Sequence, residues 1–314
     1  MGIILLNKKP GITSFDSLRD IKRALGTGKA GHTGTLDKFA QGLLIVLAGR
    51  SLKLTPWFLN CDKKYIGQIY FGKETDTLDP EGSLIHEAPL PLREDVERTI
   101  PMFTGKILQA PPAYSAIHID GRRASDLARS GNAPKMKERA VCIHKLELLS
   151  WEPPFAEIFV HCSSGTYIRS LARDIALAAG SRAHLAALVR THVAGFSLED
   201  AKSEGAADFL RSVDKSVISA LGLPWFEVTP PEAEKIICGK PLAPLLETKE
   251  CFYEPLREPA GTASGTLAYS LAGPLANTPE VFSAAVFCGE TLTAIVEKTG
   301  GKWKYGCVLE SNTR

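Results

Sequence analysis

One carboxylate in the sequence stands at a position where it could do chemistry. Asp37 follows a run of glycines and threonines in GHTGTLD and precedes the apolar segment from Leu43 to Ala48. That segment is predicted to be a buried strand, and functional side chains often lie where a strand meets a loop. An aspartate in a turn is nevertheless more often structural, because its side chain satisfies nearby backbone groups. Asp37 alone therefore does not distinguish a nucleophile from a turn residue.

A second segment offers the cation that a partly buried carboxylate needs. In GTYIRSLARD, Tyr167 and Arg169 stand at the start of an apolar-periodic segment that predicts an amphipathic helix ending at Gly180. An arginine within about 4–6 Å of an aspartate lowers its pKa and keeps it ionised. Arg169 is therefore the candidate partner of Asp37, at a distance that the sequence does not give.

Two other chemistries find no support in the motifs. GTGKAG, residues 26–31, lacks the spacing of a nucleotide-triphosphate loop, because Ala30 follows Gly28-Lys29 and position 23 is arginine. The seven histidines include no H-x-x-x-H, and the seven cysteines include no C-x-x-C. We therefore expect no metal, no cofactor and no disulfide framework.

The remaining patterns indicate the elements that must position these residues. Short apolar or β-branched runs predict strands at 3–6, 43–48, 65–71 and 157–161, and helical spacing predicts helices at 17–25 and 167–179. This mixture is typical of an α+β domain. A boundary is expected near 222–224, which divides the chain into residues 1–223 and a β-rich domain, 224–314. The Pro-, Gly- and Ser-rich segment 255–279 is expected to be a loop insertion.

Charge is distributed unevenly along the chain. The net charge is only +2, yet seven basic residues and two acidic ones occur between Gly121 and Lys145. Such a basic segment suits a phosphate backbone, although a solvated surface is an equally good interpretation of charge alone. The second domain is net acidic, with 11 acidic and 8 basic residues. No apolar stretch is long enough for a membrane span and the start does not resemble a signal peptide, so we expect a cytoplasmic protein.

Five ordered blocks resemble one protein family. They are GHTGTLD at 31–37, KKYIG at 63–67, ETDTLDPEG at 74–82, PPAYSAIHIDGRR at 111–123 and SGTYIRSLARD at 164–174. Together they are similar to the TruB family, the bacterial tRNA pseudouridine synthases that act on uridine 55 of the T-loop. The resemblance implies a mixed, largely antiparallel sheet with flanking helices (the pseudouridine synthase fold) and a C-terminal PUA-like RNA-binding domain.

The resemblance also implies roles for particular residues. Asp37 takes the position of the nucleophile and Arg169 that of its partner, while Tyr65 matches the tyrosine that stacks on the target uracil. Tyr167 matches a tyrosine at the base, and Leu188, which we expect on a helix, matches an apolar contact to it. Each of these also has an ordinary structural interpretation as a strand, helix or core residue.

Binding of a folded tRNA is the second implication. His32 matches the histidine that fills the stacking space of the flipped-out uridine. The basic segment 121–139 resembles the arm that closes over the T-arm of tRNA. The family uses no cofactor, requires no protein partner, and leads us to expect a monomer.

Two local departures from the family pattern affect the site. NKKPG replaces the usual NKPxG near the N-terminus, with Lys8 still in register. Lys38 replaces the proline that usually follows the catalytic aspartate, and its charge is expected to lower the pKa of Asp37 further. Two alternatives remain at this point: a guide-RNA-dependent branch of the same superfamily, and a catalytically silent RNA-binding or tRNA-folding protein.

Overall fold

A mixed sheet of nine strands forms the body of the first 200 residues. The computed structural model describes residues 2–254 except 133 and 204, the backbone of 267–270, and residues 281–309. The strands of this sheet and of two small hairpins are β1 (Gly2–Lys8), β2 (Ala30–His32), β3 (Gln41–Ala48), β4 (Lys63–Phe71), β5 (Lys73–Thr75), β6 (Leu84–Glu87), β7 (Gly105–Gln109), β8 (His118–Ile119), β9 (Arg122–Arg123), β10 (Arg139–Glu152), β11 (Phe155–Cys162), β12 (Ala183–Val193) and β13 (Phe196–Ser197).

The strand order confirms a largely antiparallel sheet. The main path runs β1-β3-β12-β4-β11-β10-β7, with β2 paired to β3 and β13 paired to β12, while β5-β6 and β8-β9 are separate hairpins. Within the main sheet the β3–β12 pair is parallel and the other pairs are antiparallel. The four strands predicted from sequence are present as β1, β3, β4 and β11, and Leu188 lies on β12 rather than on the helix that we expected.

Helices pack against both faces of this sheet. They are α1 (Ser17–Ala24), α2 (Thr55–Leu59), α3 (Arg93–Thr99), α4 (Ala124–Arg129), α5 (Ile168–Ala178) and α6 (Lys215–Ala220). Helix α1 contacts Ile4 and Val46, whereas α2 and α6 contact the alternate residues of β1 and β3 on the other face. Helix α5 buries Leu171, Ile175 and Ala176 completely against inward-facing residues of β4 and β11, such as Ile69 and Ile158. The apolar period of 168–178 therefore produces the contact that holds the start of α5, with Tyr167 and Arg169, over the sheet.

The C-terminal part is β-rich, as expected. Its strands are β14 (Trp225–Glu227), β15 (Glu250–Tyr253), β16 (Leu267–Ser270), β17 (Val281–Cys288), β18 (Thr291–Thr299) and β19 (Lys302–Val308), with helices α7 (Pro230–Ile237) and α8 (Ala243–Leu246). They form one six-stranded sheet in the order β16-β15-β14-β17-β18-β19. Of the predicted loop 255–279, residues 267–270 are a strand paired with β15, and the remainder lies outside the described residues.

The two parts of the chain share an apolar core. Leu54 and Phe58 of the first part cluster with Trp225, Phe287 and Ile295 of the second. Polar contacts add to this packing, since the Lys53 ammonium donates to the Val308 carbonyl at 2.7 Å. The proposed boundary near residue 223 therefore separates two sheets that pack on each other. None of the described helices combines the length and apolar character that crossing a bilayer requires.

Candidate active site

A cavity of about 460 Å³ opens where the loop after β2 meets the start of α5. Five of the six predicted site residues line it: Asp37, Tyr65, Tyr167, Arg169 and Leu188. The sixth, His32, is not among the lining residues. The fold thus brings together residues from four separate segments of the sequence. The apolar pattern within each segment could not predict that these residues would be neighbours.

Asp37 and Arg169 form an ion pair through two pairs of atoms. Arg169 Nε lies 2.9 Å from Asp37 Oδ2, and Nη2 donates to Oδ1 at 3.2 Å. The arginine side chain is 6% exposed and the aspartate side chain is 36% exposed. The Asp37 carboxylate is therefore accessible from the cavity, whereas the Arg169 guanidinium is buried. Water therefore competes little for the guanidinium in this ion pair.

Four acceptors hold Arg169 in place. Besides Asp37, its guanidinium donates to the carbonyls of Thr77 at 2.7 Å and Tyr114 at 3.1 Å, and to Asp79 Oδ2 at 3.1 Å. Asp79 is buried and accepts from the Thr77 hydroxyl at 2.6 Å. The guanidinium is thus fixed in one orientation by groups on β-hairpin and loop segments far from α5 in sequence.

Sequence reasoning missed Asp79 as a site residue. It lies inside ETDTLDPEG, one of the blocks that carry the family resemblance, but the block was not assigned a role beyond that. The signal available in the sequence was the group of acidic residues within this one block. The structure shows why Asp79 matters, because Arg169 lies between two carboxylates rather than facing one.

Burial raises the pKa of Asp37 above its usual value. Arg169, in contact, and the Lys8 ammonium lower it, while the nearby charge of Asp79 raises it further. Arg169 lowers the pKa of Asp37, as expected, but the loss of hydration raises it by more, so that the net shift is upward. Lys38, which was expected to lower this pKa further, forms an ion pair with Glu81, with its Nζ 3.0 Å from Oε1.

Lys8 supports the loop that carries Asp37. Its side chain is 1% exposed, and its ammonium donates to the Ala40 carbonyl at 2.6 Å and the Lys38 carbonyl at 3.4 Å. Burial lowers the pKa of Lys8 to about 8. Although the proline of NKKPG is shifted by one position, Lys8 keeps its place and binds the backbone immediately after Asp37.

Aromatic and apolar side chains form the walls of the cavity. Tyr65 projects from β4 and is 8% exposed, Leu188 projects from β12 and is 6% exposed, and Tyr167 stands at the N-terminal end of α5. The Tyr167 backbone N–H donates to the Gln109 side-chain oxygen at 2.8 Å. Burial raises the pKa of both tyrosines, so their hydroxyls remain protonated near neutral pH.

Arg190 is a second lining residue that sequence reasoning missed. It is 3% exposed, its Nε donates to the Leu43 carbonyl at 2.8 Å, and its Nη2 donates to the Gly34 carbonyl at 3.0 Å. These hydrogen bonds connect β12 to the backbone on both sides of Asp37, at Gly34 and at Leu43. The parallel pairing of Arg190 with Gly42 brings the two backbones together at the same point.

Gly42 is required by this close approach. Its φ of 109° is disfavoured for other residues, and a Cβ there would lie 2.4 Å from the Arg190 carbonyl oxygen. The glycine in QGLLIVLA thus allows β3 to pair with β12 directly after the Asp37 loop.

His32 lies at the end of β2 and is not among the residues that line the cavity. Its Nδ1 is buried and makes no hydrogen bond within the described part of the chain. Burial and the charge of Arg190 lower the pKa of His32, so the imidazole is neutral at physiological pH. Of the six predicted site residues, His32 is therefore the one that the structure does not place in the cavity lining.

The basic segment borders the cavity. It begins just before β9, which pairs with β8 in a hairpin, continues through α4, and reaches β10. Arg123 and Ser125 line the cavity, whereas Lys135 and Lys137 are exposed farther along. Positive charge is thus presented at the cavity mouth.

Solved structures share this fold. A chain in a structure described as a Cbf5-Nop10-Gar1 complex aligns over 99% of this chain and 85% of its own length, with a TM-score of 0.68 and 20% identity. A second, described as an H/ACA RNP bound to a substrate RNA containing 2′-deoxyuridine, aligns over 99% and 86% with a TM-score of 0.66. The molecule therefore has the fold of the Cbf5 proteins.

Sequence comparisons are more specific. The family model described as TruB family pseudouridylate synthase (N terminal domain) matches residues 22–168. Relatives named tRNA pseudouridine synthase B include one from Bordetella avium, 42% identical over 71% of this chain and 93% of the relative. Another from Treponema denticola is 47% identical over 63% of this chain and 61% of the relative, so the match spans less than two thirds of that protein. The chain belongs to the TruB family of pseudouridylate synthases, which confirms the resemblance.

Proposed function

We propose that this protein isomerises uridine 55 in the T-loop of tRNA to pseudouridine, with Asp37 as the nucleophile. The observation that carries the proposal is the Asp37–Arg169 ion pair at the wall of a cavity that Tyr65 and Tyr167 also line. The names of the relatives support the substrate class, since they are called tRNA pseudouridine synthases.

The reaction is balanced without a co-substrate. The N1–C1′ glycosidic bond breaks, the uracil turns, a C5–C1′ bond forms, C5 loses a proton and N1 gains one. A carboxylate suits this sequence because it can form and release a covalent adduct. Asp37 acts either by attack at C1′ or by assisting a glycal intermediate, and both routes require its ionised form.

The walls of the cavity suit one extruded nucleotide. A volume of about 460 Å³ falls within the range of small-ligand sites, about 300–1,000 Å³. Tyr65 is proposed to stack on the uracil, with Tyr167 and Leu188 contacting the base. A protonated Tyr65 cannot act as a phenolate base in the resting enzyme, so its assistance to loss of the C5 proton would follow base binding.

Extruding the uridine from the tRNA loop costs a few kcal/mol, because the base must be unstacked from its neighbours. His32 lies outside the cavity, and its neutral, planar ring suits the vacated stacking position within the tRNA loop. The arm 121–139 supplies phosphate contacts at the cavity mouth. We propose that the protein works as a monomer in the cytoplasm without a protein partner, and that residues 224–314 form a PUA-like domain that contacts RNA.

An unmodified tRNA transcript tests this function directly. Wild type is incubated with the transcript alone, and pseudouridine is mapped along the whole tRNA. We expect modification at position 55, its loss in Asp37→Asn by at least about 10³-fold, and its retention in the control Asp20→Asn, whose side chain is 88% exposed. Wild type that leaves the T-loop unmodified, or Asp37→Asn as active as wild type, would contradict the proposal.

The same experiment separates the two alternatives. Activity on the bare transcript excludes dependence on a guide RNA. A catalytically silent tRNA-folding protein would instead bind and refold tRNA without forming pseudouridine, in wild type and Asp37→Asn equally.

A further inference from the structure

Three side chains that commonly bind metals meet on the face of the large sheet opposite to the cavity. Lys63 and Tyr65 of β4 line the cavity, so Lys64 between them points to the other face. His161 on β11 pairs with Lys64 and shares that face. His144 on β10 and Asp62, just before β4, complete the group, which we call the Asp62–His144–His161 cluster.

The ligand atoms of the cluster are close together. Asp62 Oδ2 lies 3.1 Å from His144 Nε2 and 4.0 Å from His161 Nε2, and one potential ligand atom from each residue lies within 4.8 Å of the others. A tetrahedral Zn²⁺ ion with bonds of about 2.0–2.1 Å requires its ligands about 3.3 Å apart. Small side-chain rotations would bring the three atoms to this spacing.

A β-bulge places His144 in the cluster. Ile143 pairs with Cys162 and Lys145 pairs with His161, so that His144 is the extra residue on β10. Because of this insertion His144 and Lys145 are both exposed, while Ile143 and Leu146 on either side are buried. In a regular strand, alternation would point one of these two residues into the core.

The cluster is open enough to bind an ion from solution. The side chains of His144, His161 and Asp62 are 37%, 31% and 47% exposed. Cys142 Sγ lies 3.8 Å from the other nitrogen of His144, where it can help orient the ring. Lys64 and His192 occupy the same face and oppose a cation, so that binding is expected to be moderate.

We propose that Asp62, His144 and His161 bind one divalent first-row transition-metal ion, with water in the remaining coordination positions. Two imidazoles and one carboxylate suit Zn²⁺, and Co²⁺ is its spectroscopic substitute. The three ligands come from the start of β4 and from β10 and β11, so the ion ties three neighbouring strands together and stabilises the folded protein. Because the three ligands lie on separate segments of the sequence, they form no local metal-binding motif.

Metal titration of tag-free, chelator-treated protein tests the site. Co²⁺ binding is followed by the visible absorption of the bound ion, and the melting temperature is measured with and without Zn²⁺. We expect wild type to bind one ion and to melt at a higher temperature with Zn²⁺. His144→Ala and His161→Ala should each weaken binding at least about tenfold, judged from the effect of even indirect metal contacts. His86→Ala, at an exposed histidine on β6, is the control and should bind as wild type does.

Asp62→Asn keeps the experiment decisive if a histidine variant fails to fold. It preserves the shape of a surface side chain and removes the anionic ligand, so binding should again fall. Equal Co²⁺ absorption in wild type and all three variants, or no absorption in wild type, would overturn the proposal. The outcome is independent of tRNA modification, since no readout uses pseudouridine formation.

Discussion

Arg169 contacts Asp37 through two of its three guanidinium nitrogens, Nε at 2.9 Å and Nη2 at 3.2 Å. The third nitrogen, Nη1, contacts Asp79 at 3.1 Å. One cation therefore serves two carboxylates, of which one faces the cavity and the other is buried beneath it. This arrangement orients Asp37 while one positive charge is shared by two carboxylates.

Replacement of the guanidinium by an ammonium is predicted to impair both activity and stability. Arg169→Lys keeps the charge but cannot reach Asp37, Asp79 and the carbonyls of Thr77 and Tyr114 together. We expect the single-turnover rate to fall about 10²-fold because Asp37 loses its orientation. Buried acceptors without donors should lower the free energy of unfolding by about 1–3 kcal/mol, measured by urea denaturation.

Arg182→Lys is the matched control for that substitution. Its guanidinium makes one ion pair, with Glu74 Oε2 at 3.0 Å, and is 35% exposed, so a lysine can replace it. If the two substitutions had equal effects on the rate and on the free energy of unfolding, the multiple guanidinium contacts of Arg169 would have no special role.

The pH dependence of the reaction should report the environment of Asp37. Burial raises the pKa of Asp37, and the proposed mechanism uses its ionised form, so the rate should fall with decreasing pH at values above 3.8, the usual pKa of an aspartate. Asp79→Asn removes a negative charge that raises this pKa. The acid limb of the single-turnover profile should therefore move to lower pH, whatever the change in maximal rate.

Asp20→Asn provides the control for the pH profile, because its side chain is 88% exposed and is not among the residues that line the cavity. An acid limb that stays in place or moves to higher pH in Asp79→Asn would contradict the electrostatic coupling of the two carboxylates.

Because β3 and β12 lie close together at Gly42, adding a single methyl group there is predicted to destabilise the protein strongly. Gly42→Ala would combine a φ of 109° with a contact of 2.4 Å to the Arg190 carbonyl oxygen. We expect a loss of about 2–4 kcal/mol in the free energy of unfolding. Gly105→Ala has a similar φ of 92° but no atom within 4 Å of the added carbon, and should cost only about 1 kcal/mol.

The difference between the two glycine variants isolates the steric contact from the backbone strain. If both variants lose the same stability, the contact with Arg190 does not limit the pairing of β3 and β12.

Exposed lysines of the arm should contribute to the salt dependence of tRNA binding. The Lys135→Ala, Lys137→Ala double variant removes two charges that lie outside the cavity lining. We plot the logarithm of the tRNA association constant against the logarithm of the salt concentration. If both lysines contact phosphates, the slope should decrease in magnitude by about 1.4–1.8, the value for two fewer phosphate contacts. The slope is measured by tRNA binding at several salt concentrations, and an unchanged slope would exclude both lysines from phosphate contact.

Local patterns predicted much of the fold because they reflect local physics. The apolar runs of β1, β3, β4 and β11 and the helical period of α5 were visible in short windows of sequence. Leu188 was misassigned because AHLAALVRTHV has helical propensity, whereas pairing with β4 and β3 makes it a strand. Residues 267–270 form a strand within a segment of turn-forming composition, since pairing with β15 stabilises it.

The sequence by itself determined the class of fold, the family and the segments that carry Asp37, Tyr65, Tyr167 and Arg169. Only the tertiary structure decided that Arg169 lies between Asp37 and Asp79, that Arg190 holds the Asp37 loop, and that Lys38 forms an ion pair with Glu81. It also decided the sign of the Asp37 pKa shift. These features depend on burial and on distances between segments far apart in the chain, and such quantities exist only after the sheet has formed.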